Sequence, residues 1–115
     1  MSSEEAARYA GVTLRQLQFW DENGIVEPDR CKNARVYSER QALELRVLAE
    51  FRRKGVSLQK LRPLIPDIRR RLKQAKPGMY IGLHGPYVAL FLNGSAFEML
   101  MKEATMRIPL VVARV

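Results

Sequence analysis

The sequence is poor in the residues that build disulfides, metal sites and most active sites: one cysteine, one histidine and one tryptophan among 115 residues. A lone cysteine, Cys31, excludes an intrachain disulfide and fits a reducing compartment. Cys31 and His84 stand in different modules, so no mononuclear site of soft and imidazole ligands is expected. Nothing pairs His84 with a nucleophile, and GLHGPY is not the long glycine-rich loop that cradles phosphates. No apolar run reaches the roughly 18 residues that a bilayer demands. The opening MSSEEAARYAG has neither the basic flank nor the apolar stretch of a secretory signal. The expectation is a cytoplasmic protein that is not an enzyme and uses no cofactor, metal or membrane.

Acidic residues are scarce too, 12 against 20 Lys and Arg, for a formal charge of +8. The excess is uneven. Residues 1–76 hold 17 basic and 10 acidic side chains, whereas residues 77–115 hold 3 and 2. A polyanionic partner for the first two thirds follows from that asymmetry.

What is present reads as short helices with clear stops. Ser3 is the expected cap of EEAARYA, and Gly11-Val12 makes a sharp turn. Thr13 then caps a second helix that ends near Asn23-Gly24. Its apolar side is Leu14, Leu17 and Phe19 or Trp20; its polar side displays Arg15, Gln16, Gln18 and Glu22. Pro28 opens a loop, and ARVY has the alternation of one strand of a small projecting hairpin, a wing over 28–37. Ser38 caps a third helix stopped by Gly55, Ser57 caps a fourth, and Pro66 starts a fifth rather than sitting inside one. Pro77-Gly78 marks a boundary. Beyond it MYIGL, YVALFL and IPLVVARV read as strands, with Ser95 and Glu98 as a capping box for an intervening helix. The predicted fold is mainly α: a winged helix-turn-helix domain over 1–76 and a small α+β module, β-β-α-β, over 77–115.

A helix-turn-helix presents its second helix to the major groove of DNA, where long polar side chains reach base edges. Thr13, Arg15 and Gln16 are placed for that, and Gln18 for a base or a phosphate. The same polar residues also suit a helix that merely faces water. On the wing, Arg30, Lys32 and Arg35 are placed to follow phosphates, supplying affinity and register. Tyr37 suits packing on the third helix, with a phosphate contact by its hydroxyl left open.

The segments EEAARYAGVTLRQLQFWDENGIVEPD and ARVYSERQALELRVLAEFRRKGVSLQKLRPLI resemble the DNA-binding domain of the MerR family of transcriptional regulators over about residues 4–65. ARVYS matches that family's wing end, and KGVSLQKL its second turn. The resemblance implies that Thr13, Arg15 and Gln16 face the major groove and that Arg35 and Tyr37 hold the wing and touch backbone. Trp20 takes the second aromatic position, where core packing and a phosphate contact both remain open. Gln18 departs from the family, which commonly has a phosphate-binding arginine there, and Ala34 trims the wing. Pro63, Pro66 and Pro77 leave no room for the long coiled coil of many members. The tail is similar instead to that of a small-tailed branch with QLQFWD-like recognition helices.

The expected function is sequence-specific binding of double-stranded DNA by helix 13–23 and wing 28–37, as a homodimeric transcriptional regulator on an inverted repeat, with an effector of unknown identity. The alternatives are a protein-interaction module of winged-helix shape, an architectural or excision-type DNA-binding protein, and an antitoxin.

Overall fold

In the computed structural model, which describes residues 1–91 and 110–115, Ser2 rather than Ser3 caps the first helix, α1 (Ser3–Ala10). The cap must reach the amide three residues on, and Ser2 Oγ accepts from the Glu5 N–H at 3.2 Å. α1 stops at Gly11, whose φ of 72° is the left-handed value that favours glycine and lets its N–H return to the Ala7 carbonyl. Helix α2 (Leu14–Glu22) follows, with Thr13 as its cap.

Strands β1 (Asp29–Cys31) and β2 (Ala34–Val36) pair antiparallel around a two-residue turn, Lys32-Asn33. Both turn residues have positive φ, 50° and 68°, the conformation whose twist suits a two-residue hairpin. Helix α3 (Glu39–Arg53) opens on Ser38, as expected: Ser38 Oγ accepts from the Gln41 N–H, and Gln41 Oε1 accepts from the Ser38 N–H. Gln41 Nε2 also donates to the Glu27 carbonyl at 2.7 Å, tying the loop before the hairpin to the start of α3.

The chain is a mixed α/β fold, helical towards its N-terminus and β-rich towards its C-terminus, in two compact units, Met1–Glu50 and Phe51–Val115. The first unit is built on small residues of α1 (Ala6, Ala7, Ala10) against Leu17, Trp20, Ile25 and Val26, with Tyr37, Leu45 and Leu48 closing the core. Emptying one of the large positions costs about 2–5 kcal/mol, so this small unit has few side chains to spare. Outside the core, the Arg46 guanidinium stands 5.1 Å from the centre of the Tyr9 ring, a cation–π link between α1 and α3.

In the second unit Ser57 caps α4 (Leu58–Leu61), a 3-10 turn over Arg62–Leu64 carries Pro63, and α5 (Ile65–Leu72) begins with Pro66 in its first turn. That is where a residue without an N–H costs least. Ile65, Ile68 and Leu72 are buried as α5 packs on the sheet. β3 (Tyr80–His84) is central, with β4 (Tyr87–Phe91) and β5 (Leu110–Arg114) antiparallel on either side. His84 is the last residue of β3 and pairs with Tyr87. At the middle of β3 a Cβ on Gly82 would lie 2.7 Å from Phe91 Cε2 and 3.1 Å from Leu110 Cδ1. Side chains from the two outer strands therefore converge over a bare backbone. The helix expected from Ser95 and Glu98 lies outside the described residues.

Candidate nucleic-acid interface

Residues turn by about 100° each around a helix, so burial of Leu17 and Trp20 fixes which side of α2 faces outward. The ridge opposite them carries Arg15, Phe19 and Glu22, flanked by Gln18 and Asn23, all exposed. Two expectations for the apolar side change here. Trp20 is 5% exposed and Phe19 46%, so the indole takes the core position and the phenyl ring faces out. Leu14 does not anchor the helix. It is 51% exposed, because its place in the first turn points away from the direction shared by Leu17 and Trp20.

Gln16 has a prior commitment. Its Oε1 accepts from the Thr13 N–H at 2.9 Å while Thr13 Oγ1 accepts from the Gln16 N–H at 3.1 Å. This capping box satisfies two amides that the start of a helix leaves without partners. Further along, Gln18 Nε2 donates to Glu22 Oε1 at 2.9 Å, one turn away. Asn23 closes the helix by donating from Nδ2 to the Phe19 carbonyl at 2.7 Å. Among the described residues, no ion pair engages the Arg15 side chain.

The hairpin register sets Arg30 directly opposite Arg35. Like charges so placed repel, and Asp21 of α2 resolves the conflict. Its Oδ2 accepts from Arg30 Nη2 at 2.9 Å and from Arg35 Nε at 2.6 Å. The Asp21 side chain is nearly buried, the Arg35 side chain about a quarter exposed and the Arg30 side chain more than half exposed. The hydrogen bond to Asp21 raises the Arg35 guanidinium above its ordinary value against the opposing effect of desolvation. The three groups tie the second helix to the hairpin and leave Arg30 and Lys32 as the more open cations of the hairpin.

By its sequence Tyr37 suits packing on the third helix, with a phosphate contact by its hydroxyl left open. The structure places the residue in the core, 1% exposed, with its hydroxyl buried and without a hydrogen-bond partner among the described residues. Burial first, and then the Asp21 carboxylate, push the Tyr37 hydroxyl above the usual tyrosine range, with Arg35 and Arg30 pulling the other way. Trp20, for which a phosphate contact was also open, is likewise a core residue.

Of the nine residues singled out from sequence, the structure brings Arg15 and Gln18 to the exposed face of α2, and Arg30, Lys32 and Arg35 to one hairpin. Thr13 and Gln16 sit at the helix start as a cap. Two residues here were missed: Phe19, which turns outward, and Asp21, which holds the hairpin arginines from a nearly buried position. The 100° spacing alone puts Phe19 and Glu22 on the ridge of Arg15, once one aromatic residue is assigned to the core.

The model of MerR helix-turn-helix family regulatory proteins matches residues 1–68, more than half the chain. The chain belongs to the MerR family. That membership assigns this MerR protein a DNA-binding regulatory role. The match covers both helices of the opening pair, the β1–β2 hairpin, α3 and α4, and ends within α5. Among curated proteins, none matches the chain. Among its described residues the MerR protein has no group of three or more His, Cys, Asp or Glu side chains able to hold a metal ion. None of the described helices is long and apolar enough to cross a membrane.

Proposed function

We propose that the protein regulates transcription by binding double-stranded DNA sequence-specifically, with α2 in the major groove and the β1–β2 hairpin as a wing along the backbone. The observation that carries this reading is the Asp21 junction: one carboxylate oxygen holds both hairpin arginines against the helix that displays Arg15. A groove-reading helix and a phosphate-following hairpin work together only when their separation is fixed. Arg15 and Gln18 read base edges, Arg30 and Lys32 meet phosphates, Thr13 and Gln16 set the helix start, and Arg35, Trp20 and Tyr37 brace the two elements.

In this reading residues 1–76 carry DNA binding, and residues 77–115 serve dimerisation or the sensing of an effector. Two copies bind an inverted repeat, matching two-fold protein symmetry to two half-sites. Binding to duplex DNA measured by fluorescence anisotropy across a salt series tests the first part. Affinity should fall linearly on a logarithmic plot, with a slope of about −0.9 per phosphate neutralised. Absent or salt-insensitive binding would refute it. The solution mass of the protein with and without residues 77–115 tests the assignment of the dimer to the tail. A dimer that survives truncation would move that role elsewhere.

A further inference from the structure

The exposed ridge of α2 carries Phe19, whose neighbours on that face are Arg15, Gln18, Glu22 and Asn23; the other exposed apolar side chain of the helix, Leu14, stands in its first turn, five residues away and turned by about 140°. A protein-binding patch is contiguous and apolar; here a single ring stands among polar groups. Its surroundings constrain what it meets. Arg15 lies one turn before it, so the ridge is attracted to a polyanion. Glu22 lies three residues after it and is held by Gln18 Nε2 at 2.9 Å. A carboxylate is repelled by phosphates, so on a duplex this part of the ridge suits base edges rather than the backbone. The edges of base pairs in the major groove offer one apolar group, the C5-methyl of thymine.

We infer that Phe19 is a specificity-determining residue that reads the C5-methyl of a thymine in the major groove. This rests on the DNA-binding reading above and adds to it a residue and a chemical group. The ring excludes water from the methyl and gains nothing from a base that lacks it. Arg15, on the same ridge, fixes the register beside it by donating to guanine O6 and N7.

The test uses the full chain. Duplexes retained from a randomised pool define a preferred site, and each thymine in it is then replaced singly by deoxyuridine, which removes only the methyl. One replacement should weaken wild-type binding by about four-fold, the effect of one buried methyl group. The Phe19→Ala variant, checked for helix content by circular dichroism, should bind the thymine and deoxyuridine duplexes equally. At the same position a cytosine–guanine pair and its 5-methylcytosine counterpart differ only in the methyl, so the wild type should bind the methylated duplex more tightly by a similar factor and Phe19→Ala should not distinguish them. Indifference of the wild type to every replacement overturns the inference, and that measurement needs no variant. So does a Phe19→Ala protein that keeps the wild-type sensitivity, or a preferred site without thymine. A pool from which no duplex is retained would instead defeat the DNA-binding reading itself. Phe19 would then belong to a protein-binding surface.

Discussion

Arg30 and Arg35 face each other across the hairpin, and both donate to the same oxygen of Asp21. Without that oxygen the hairpin would keep two cations in opposition. Asp21→Asn should therefore cost about 1–2 kcal/mol in urea unfolding, since charge-assisted hydrogen bonds are lost and cross-strand repulsion is exposed. The loss should shrink at about 1 M salt, where the screening length is only about 3 Å. An equal deficit at low and high salt would mean that the pairing is steric rather than electrostatic.

Gln16 can be a base reader or a helix cap, and the two roles separate in one pair of measurements. As a cap it is worth about 0.5–1 kcal/mol of stability. Gln16→Ala should lower stability by that amount and leave the ranking of DNA sequences unchanged. Arg15→Ala should do the reverse: little change in the unfolding midpoint, and a loss of about 1–3 kcal/mol in discrimination at one base pair. A changed ranking for Gln16→Ala would return it to the base-reading set.

The buried Tyr37 hydroxyl has no partner among the described residues, and an unsatisfied buried hydroxyl costs about 1–3 kcal/mol. Tyr37→Phe keeps the ring and removes that cost, so it should stabilise the protein by about 1 kcal/mol near neutrality. The sign at high pH follows from the raised ionisation of the folded hydroxyl. Above the ordinary tyrosine value of about 10, the unfolded chain gives up its proton first. Wild-type stability is therefore fully present below that pH and falls as pH rises through the raised folded value. Tyr37→Phe should flatten this alkaline limb in urea midpoints taken from about pH 8 to pH 11. Identical limbs would contradict the buried environment.

How far the sequence revealed this surface depends on the range of the interaction. Caps act over three residues, so Thr13, Ser38 and Ser57 were legible, and Ser2 was missed by a single position in a run of two serines. Gly11 and Asn23-Gly24 stopped helices where they should, because a left-handed residue is a local requirement. The choice between Phe19 and Trp20 was not local. Adjacent residues on a helix differ by about 100°, and only the packing of Leu17, Ile25 and Val26 decides which ring turns inward. Asp21 was illegible for a related reason. Its partners lie 9 and 14 residues away and reach it only after the hairpin folds back.

The hairpin tip uses a non-glycine residue, Lys32, with φ of 50°. That backbone region favours glycine or asparagine. Lys32→Asn should accordingly stabilise the fold by about 0.5–1 kcal/mol. If Lys32 meets a phosphate, the same change should weaken binding to all duplexes alike and reduce the salt slope by about 1. A variant both more stable and equally tight on DNA would remove Lys32 from the wing contacts.

Gly82 gives the sheet a property that its hydrogen bonds alone do not. β4 and β5 share no ladder, yet Phe91 and Leu110 close over the glycine from opposite sides. Neither outer strand can peel away without uncovering the side chain of the other. The three strands should open in one step, and their central amides should share a single exchange rate with solvent deuterium rather than fraying edge by edge. Gly82→Ala, which drives a methyl into that closure, should cost about 1–3 kcal/mol and split the common rate.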